Sequence, residues 1–149
     1  MSSYLTFYLV PKGNKTKYNK DSEEIIKIPK EPLAVFSYSR NSGVYEEYFT
    51  RLSIPYAGTE DKYAELTPED ANSVISKFVD EELKPAKERL ERLYKVLKVN
   101  YNEDLVEDIF DCEEYIRDLN WTLENLKHIA HFVEEIGYHD FEKVLINYD

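Results

Sequence analysis

The sequence predicts an α+β fold, with a small N-terminal antiparallel sheet packed on the base of a long C-terminal antiparallel two-helix hairpin. Three observations carry the prediction. The first 40 residues hold short aromatic and apolar runs punctuated by Pro and Gly, which is strand-and-turn chemistry. Residues 67–137 hold two long stretches with apolar side chains at heptad spacing. Those two stretches match each other layer by layer when the chain is folded back at Tyr101. The whole chain, 1–149, reads as a single domain: a β-rich head with one short helix (1–66), the hairpin (67–137) and a C-terminal tail (138–149).

In the head, Leu5, Phe7 and Leu9 fall on one face of a strand over residues 4–10, which Pro11 and Gly13 end. Residues 12–22 are polar and Lys-rich and read as a mobile loop. A second strand spans Glu24–Ile28, and a third, LAVFSYS, spans Leu33–Ser39. A short helix follows from about Gly43 to Leu52, with Asn41 or Ser42 as its cap. Residues 53–66 read mostly as loop, with a small strand near Tyr63.

Thr67-Pro68-Glu69-Asp70 is a helix start: a capping hydroxyl, Pro in the first turn and acids at the positive end of the helix dipole. That helix is expected to reach about Val99 with a kink at Pro85, where an N–H is missing. Asn102 caps a second helix that runs to Gly137. Each is roughly 45–50 Å long at about 1.5 Å per residue. Val79, Leu83, Ala86, Leu90, Leu93 and Leu97 form one seam, and Leu105, Ile109, Cys112, Ile116, Leu119 and Leu123 the other. Pairing them in reverse order gives partner numbers that always sum to 202, so one register satisfies all six layers. Lys84, Lys87, Arg89, Arg92, Lys95 and Lys98 on the first helix complement the acids that open the second, with Lys87 beside Glu113. At the base, Trp121, Ile129, Phe132 and Ile136 with Val74, Ile75 and Phe78 make an extra apolar face for the sheet to cover. The tip around residues 90–113 then projects, and Val144–Tyr148 reads as an edge strand of the head.

The net charge is −11, distributed as +3 over residues 1–40 and −14 over residues 41–149. Such a field opposes binding to nucleic-acid phosphates and favours a partner with a basic surface. A single cysteine precludes an internal disulfide and a multi-cysteine zinc site. The N-terminus, MSSYLTFYLVPKG, lacks a basic n-region and has too short an apolar stretch for a signal peptide or membrane span, so a cytoplasmic location is expected. No nucleophile elbow, Walker loop, dinucleotide motif or paired catalytic carboxylates occur, and the reading is non-enzymatic with no cofactor.

Two surfaces stand out. Asp104, Glu107, Asp108, Asp111 and Glu114 crowd the start of the second long helix and suit a basic protein partner. The strand-to-helix corner Ser39, Arg40, Asn41, Ser42 and Gly43, with Tyr45 beside it and Tyr38 and Tyr48 near, offers N–H groups, hydroxyls and an Arg fork to an anionic or nucleotide-like ligand. His128 and His131 with Glu124, Glu135, His139 and Asp140 lack the spacing of a metal motif, and a packed histidine is the simpler reading of His128. Cys112 lies in the seam, a core thiol.

The opening SYLTFYLVPK, then PLAVFSYSRNSGVYEEYF and a helical hairpin, resembles small uncharacterised accessory proteins encoded by bacteriophages and mobile elements. The resemblance implies an accessory or host-interaction role, in the host cytoplasm, and transfers no site residues. The expected function is therefore binding or occluding a protein partner. The alternative is sequestering a small anionic ligand at Ser39–Gly43, and self-assembly into a homo-oligomer is a further expectation.

Overall fold

The computed structural model describes residues 4–11, 15–19, 24–28, 33–52, 64–136 and 141–148. The described chain is α+β, as the sequence predicts. Strands β1 (Tyr4–Pro11), β4 (Leu33–Ser39), β5 (Ala64–Leu66) and β6 (Phe141–Tyr148) form an antiparallel sheet in the order β4-β1-β6-β5. The C-terminal strand is thus not an edge. It lies between β1 and β5, because Val144 and Ile146 are apolar enough to be fully buried and both ladders of β6 find partners. Phe7 faces Phe36 and Tyr8 faces Ala34, so the β1–β4 ladder bulges at Val35, which stands in solvent.

The Lys-rich segment is the clearest departure from expectation. Within the stretch read as a loop, β2 (Lys15–Asn19) pairs antiparallel with β3 (Glu24–Ile28) in a separate two-stranded ladder. Thr16 and Tyr18 have strand propensity, and Ile25, Ile26 and Ile28 supply more; pairing outweighed the polarity of the intervening lysines. The small strand expected near Tyr63 begins one residue later, at Ala64, and residues 53–63 lie outside the described residues.

Helix α1 (Gly43–Arg51) starts at Ser42, whose Oγ accepts from the Tyr45 N–H at 3.2 Å. Helix α2 (Pro68–Phe78) starts at Thr67, whose Oγ1 accepts from the Asp70 N–H at 3.1 Å. The disruption expected at Pro85 is displaced upstream. Residues Val79–Leu83 form a π-helical turn closed by the Lys84 N–H on the Val79 carbonyl, and α3 (Lys84–Val99) continues with Pro85 in its first turn. The wider turn relieves the carbonyls that the Pro85 ring would otherwise press upon. Asn102 caps α4 (Glu103–Glu135), accepting from the Asp104 N–H at 2.8 Å. The helix stops at Glu135, and Gly137 lies outside the described residues.

The seam holds. Leu83, Ala86, Ile109, Cys112, Ile116, Leu119, Leu126, Ala130 and Val133 are buried, and the Cys112 thiol donates to the Ala86 carbonyl at 3.6 Å. The sheet docks on the base of the hairpin through aromatic edges. Phe36 meets Phe132 at 5.0 Å, and Phe7 is ringed by Phe36, Tyr38 and Tyr48 at 5.5–6.3 Å, all edge-on. Leu5, Phe7, Val44, Tyr48, Val74, Phe78, Leu126 and Ile129 make the innermost layer, where sheet, α1, α2 and α4 converge. Trp121 departs from the apolar face predicted for it and is 51% exposed. Among the described residues no helix is long and apolar enough to cross a membrane.

Candidate functional site

The polar surface is organised along one side of the hairpin. On that side Tyr115 donates to Glu82 across the helices at 3.3 Å, while on the other Tyr94 donates to Glu113. The predicted Lys87–Glu113 pair does not form. Among the described residues the ion pairs are Lys84–Asp80 and those of Arg51, and none joins α3 to α4. Two tyrosine hydroxyls do what the charge pattern assigned to lysines, because the tyrosines flank the seam and the lysines point to water. Burial and the Glu82 carboxylate push the Tyr115 hydroxyl above its ordinary pKa, and the bond to Glu113 does the same for Tyr94.

Among the described residues, the acids that open α4 are thus held in no direct ion pair. Glu103, Asp104, Glu107, Asp108, Asp111 and Glu114 make no ion pair among the described residues. Asp104, Asp108 and Asp111 follow the i, i+4, i+7 spacing of one helical stripe. Asp108 and Asp111 line a cavity of about 170 Å³ with Ala86, Arg89, Cys112 and Tyr115. Val96 lies one heptad beyond Arg89 and Val99 follows at i+3, so both continue the same side toward the tip. They are 52% and 90% exposed.

The strand-to-helix corner is divided. Arg40 lies with Tyr45, Glu46 and Phe49 around a hollow of about 230 Å³, where the Tyr45 and Phe49 rings stack at 6.3 Å. Asn41, Ser42 and Gly43 line a different cavity, of about 430 Å³, which shares Glu46 with the first. Two of the corner's N–H groups are used internally: the Ser42 N–H reaches the Ser39 carbonyl at 2.9 Å, and Ser42 Oγ holds the Tyr45 N–H. Tyr48 is fully buried in the core, and the Tyr38 hydroxyl donates to Asn125 Oδ1 at 3.4 Å, so neither reaches a ligand at the corner. Burial raises the Tyr38 pKa.

The larger cavity is walled by groups far apart in sequence. Glu46 and Glu47 come from α1, Glu82 from the π turn, and Tyr115, Asp118, Trp121 and Thr122 from α4. Four carboxylates oppose an anion there. Arg51 fastens this wall, with Nε on Glu47 Oε2 at 3.1 Å, Nη2 on Glu82 Oε1 at 3.4 Å and Nη1 on Glu81. Burial pushes the Glu47 carboxyl above the usual glutamate range, against the pull of the Arg51 hydrogen bond and charge. Apart from the corner, the sequence assigned none of these residues to a ligand site, and it placed Trp121 on an apolar face. One signal was present: Trp121 sits two residues from both Leu119 and Leu123, on the side of the helix away from the seam.

His128 and His131 are exposed, and His128 packs its ring edge on Phe36 at 5.6 Å rather than within the core. His139 and Asp140 lie outside the described residues. Among the described residues no three His, Cys, Asp or Glu side chains group closely enough to hold one metal ion. No protein-family model, curated protein or solved structure matches the chain.

Proposed function

We propose that the protein is a non-enzymatic interaction protein whose hairpin face, Asp104, Asp108 and Asp111 with Val96 and Val99, engages a basic segment of a protein partner. One observation carries the reading: the acids of the α4 start make no ion pair among the described residues, although six cations stand on the facing helix. Charge left unpaired beside exposed apolar side chains is the composition of a surface that gains by meeting cations. The acids steer the encounter, and Val96 and Val99 offer apolar area for the contact itself. The mechanism is occlusion of, or scaffolding with, that partner, in keeping with an accessory role.

The test is parallel affinity capture with wild-type protein and the Asp104→Lys, Asp108→Lys, Asp111→Lys variant. Circular dichroism and thermal melting establish that both are folded. A basic protein retained by the wild type, released by moderate salt and absent from the variant is the expected result. Equal retention by the folded variant overturns the assignment of this face.

A further inference from the structure

We infer that the cavity of about 430 Å³ between α1 and α4 is a binding site for an alkylammonium cation, a primary ammonium group on a methylene chain. Its volume lies within the range of small-molecule sites, roughly 300–1,000 Å³. The strongest indication is Thr122. This residue is only 5% exposed, lines the cavity, and its hydroxyl has no hydrogen-bond partner among the described residues. The hydroxyl is open to the cavity rather than sealed from water, so a ligand N–H would replace a solvent contact with a charge-assisted hydrogen bond.

The surrounding walls define the rest of the ligand. Glu46, Glu82 and Asp118 contribute negative charge, and of these only Glu82 meets a cation, Arg51, among the described residues. The charge is spread around the cavity instead of converging on one point, which suits an organic cation better than a metal ion. Trp121 and Tyr115 present aromatic surface at the rim, and an ammonium over an indole face is the most favourable cation–π pairing. Phe78 and Leu119 form apolar lining that methylenes can cover. An anion meets carboxylates on every side, a neutral ligand leaves them unanswered, and a quaternary ammonium has no N–H for Thr122.

This chemistry has two sources: a free polyamine, or a lysine side chain presented by another protein. The site adjoins the acidic hairpin face at Tyr115, but its test leaves Asp104, Asp108 and Asp111 untouched, so the two can fail independently. Trp121 is the single tryptophan of the chain, so its emission reports on this cavity alone. Spermidine and Nα-acetyl-lysine methylamide are titrated at constant ionic strength, with binding read by equilibrium dialysis and by Trp121 emission. Sodium chloride and inorganic phosphate serve as controls.

Saturable binding of an amine, with no such response to either control, is expected. Asp118→Asn, at an exposed position that should fold normally, and Thr122→Val should each weaken it about tenfold, the loss of one good polar contact to a charged group. Tighter binding of spermidine identifies the free amine as the ligand; comparable or tighter binding of the lysine amide identifies the side chain. No saturable binding of either amine, an equal response to sodium chloride, or full affinity in folded Asp118→Asn overturns the proposal.

Discussion

Replacing Gly43 by Ala tests how closely α1 approaches α4. A Cβ built at Gly43 falls 2.3 Å from Thr122 Oγ1 and 3.3 Å from both Thr122 Cβ and Cγ2. Carbon–oxygen contacts settle at roughly 3.3–3.6 Å, so the first distance is about 1 Å too short. Thr122 is β-branched, buried and in mid-helix, so its χ1 is restricted and its hydroxyl does not swing freely out of the way. Overpacking of this kind costs about 1–3 kcal/mol. Against it stands a gain of about 0.4–1 kcal/mol from the smaller conformational freedom of Ala in the unfolded chain. The expected net loss is about 0–2.6 kcal/mol, and each kcal/mol lowers Tm by about 2–4 °C in a chain of this size. The assay is chemical denaturation of the wild type, Gly43→Ala, Thr122→Ala and the double variant. With Oγ1 removed, Gly43→Ala should become neutral or stabilising, giving a coupling of about 1–3 kcal/mol across the cycle. Two single changes that add to within about 0.3 kcal/mol would refute the close approach.

Leu126 is wholly buried, so Leu126→Ala should cost about 2–5 kcal/mol in denaturant unfolding, whereas Val99→Ala at the exposed tip should stay within about 0.5 kcal/mol. Comparable losses at the two positions would contradict the placement of the core at the base of the hairpin. Glu47 tests the buried wall of the cavity by pH. Its carboxyl titrates above the ordinary glutamate value of about 4.3, mainly because burial disfavours the charged form, with Glu82 and Glu46 adding to the rise and Arg51 opposing it. Between the ordinary and the raised value the folded state holds more protons than the unfolded one, so this group's contribution to stability falls as pH rises. The stability of wild type relative to Glu47→Gln should therefore decline across that window; parallel pH profiles would show that burial does not dominate.

Much of this molecule is local and periodic, and that part was legible in the sequence. Heptad spacing specifies which side of each long helix is apolar, as the buried seam residues from Leu83 to Val133 bear out. The caps at Thr67 and Asn102 were readable because a side chain two or three residues from its backbone donor needs no tertiary help. The acidic stripe was legible for the same reason, as was the corner at Ser42 that starts α1.

Other features depend on elements meeting across the chain. Whether Val144 and Ile146 build an edge or an inner strand depends on β5 supplying a second neighbour, and no local pattern in β6 encodes that. The lysines of the Lys15–Asn19 segment suggested a loop, yet ladder pairing with Glu24–Ile28 prevailed, since strand formation depends on the partner as much as on the residue. Composition implied that facing charges would pair across the hairpin. Tertiary geometry assigned the flanking positions to Tyr94 and Tyr115 instead, leaving the α4 acids exposed. The cavity under α1 is the extreme case. Its walls come from positions 46, 82, 115, 118, 121 and 122 on separate elements, and it exists only because Gly43 lets one helix start lie against Thr122 of another. The sequence by itself determined which faces are apolar, where helices begin and where charge accumulates, because those follow from neighbours along the chain. Only the tertiary structure decided which charges are neutralised, which strand is central and where a ligand-sized space opens, because those depend on residues that meet only when the chain folds.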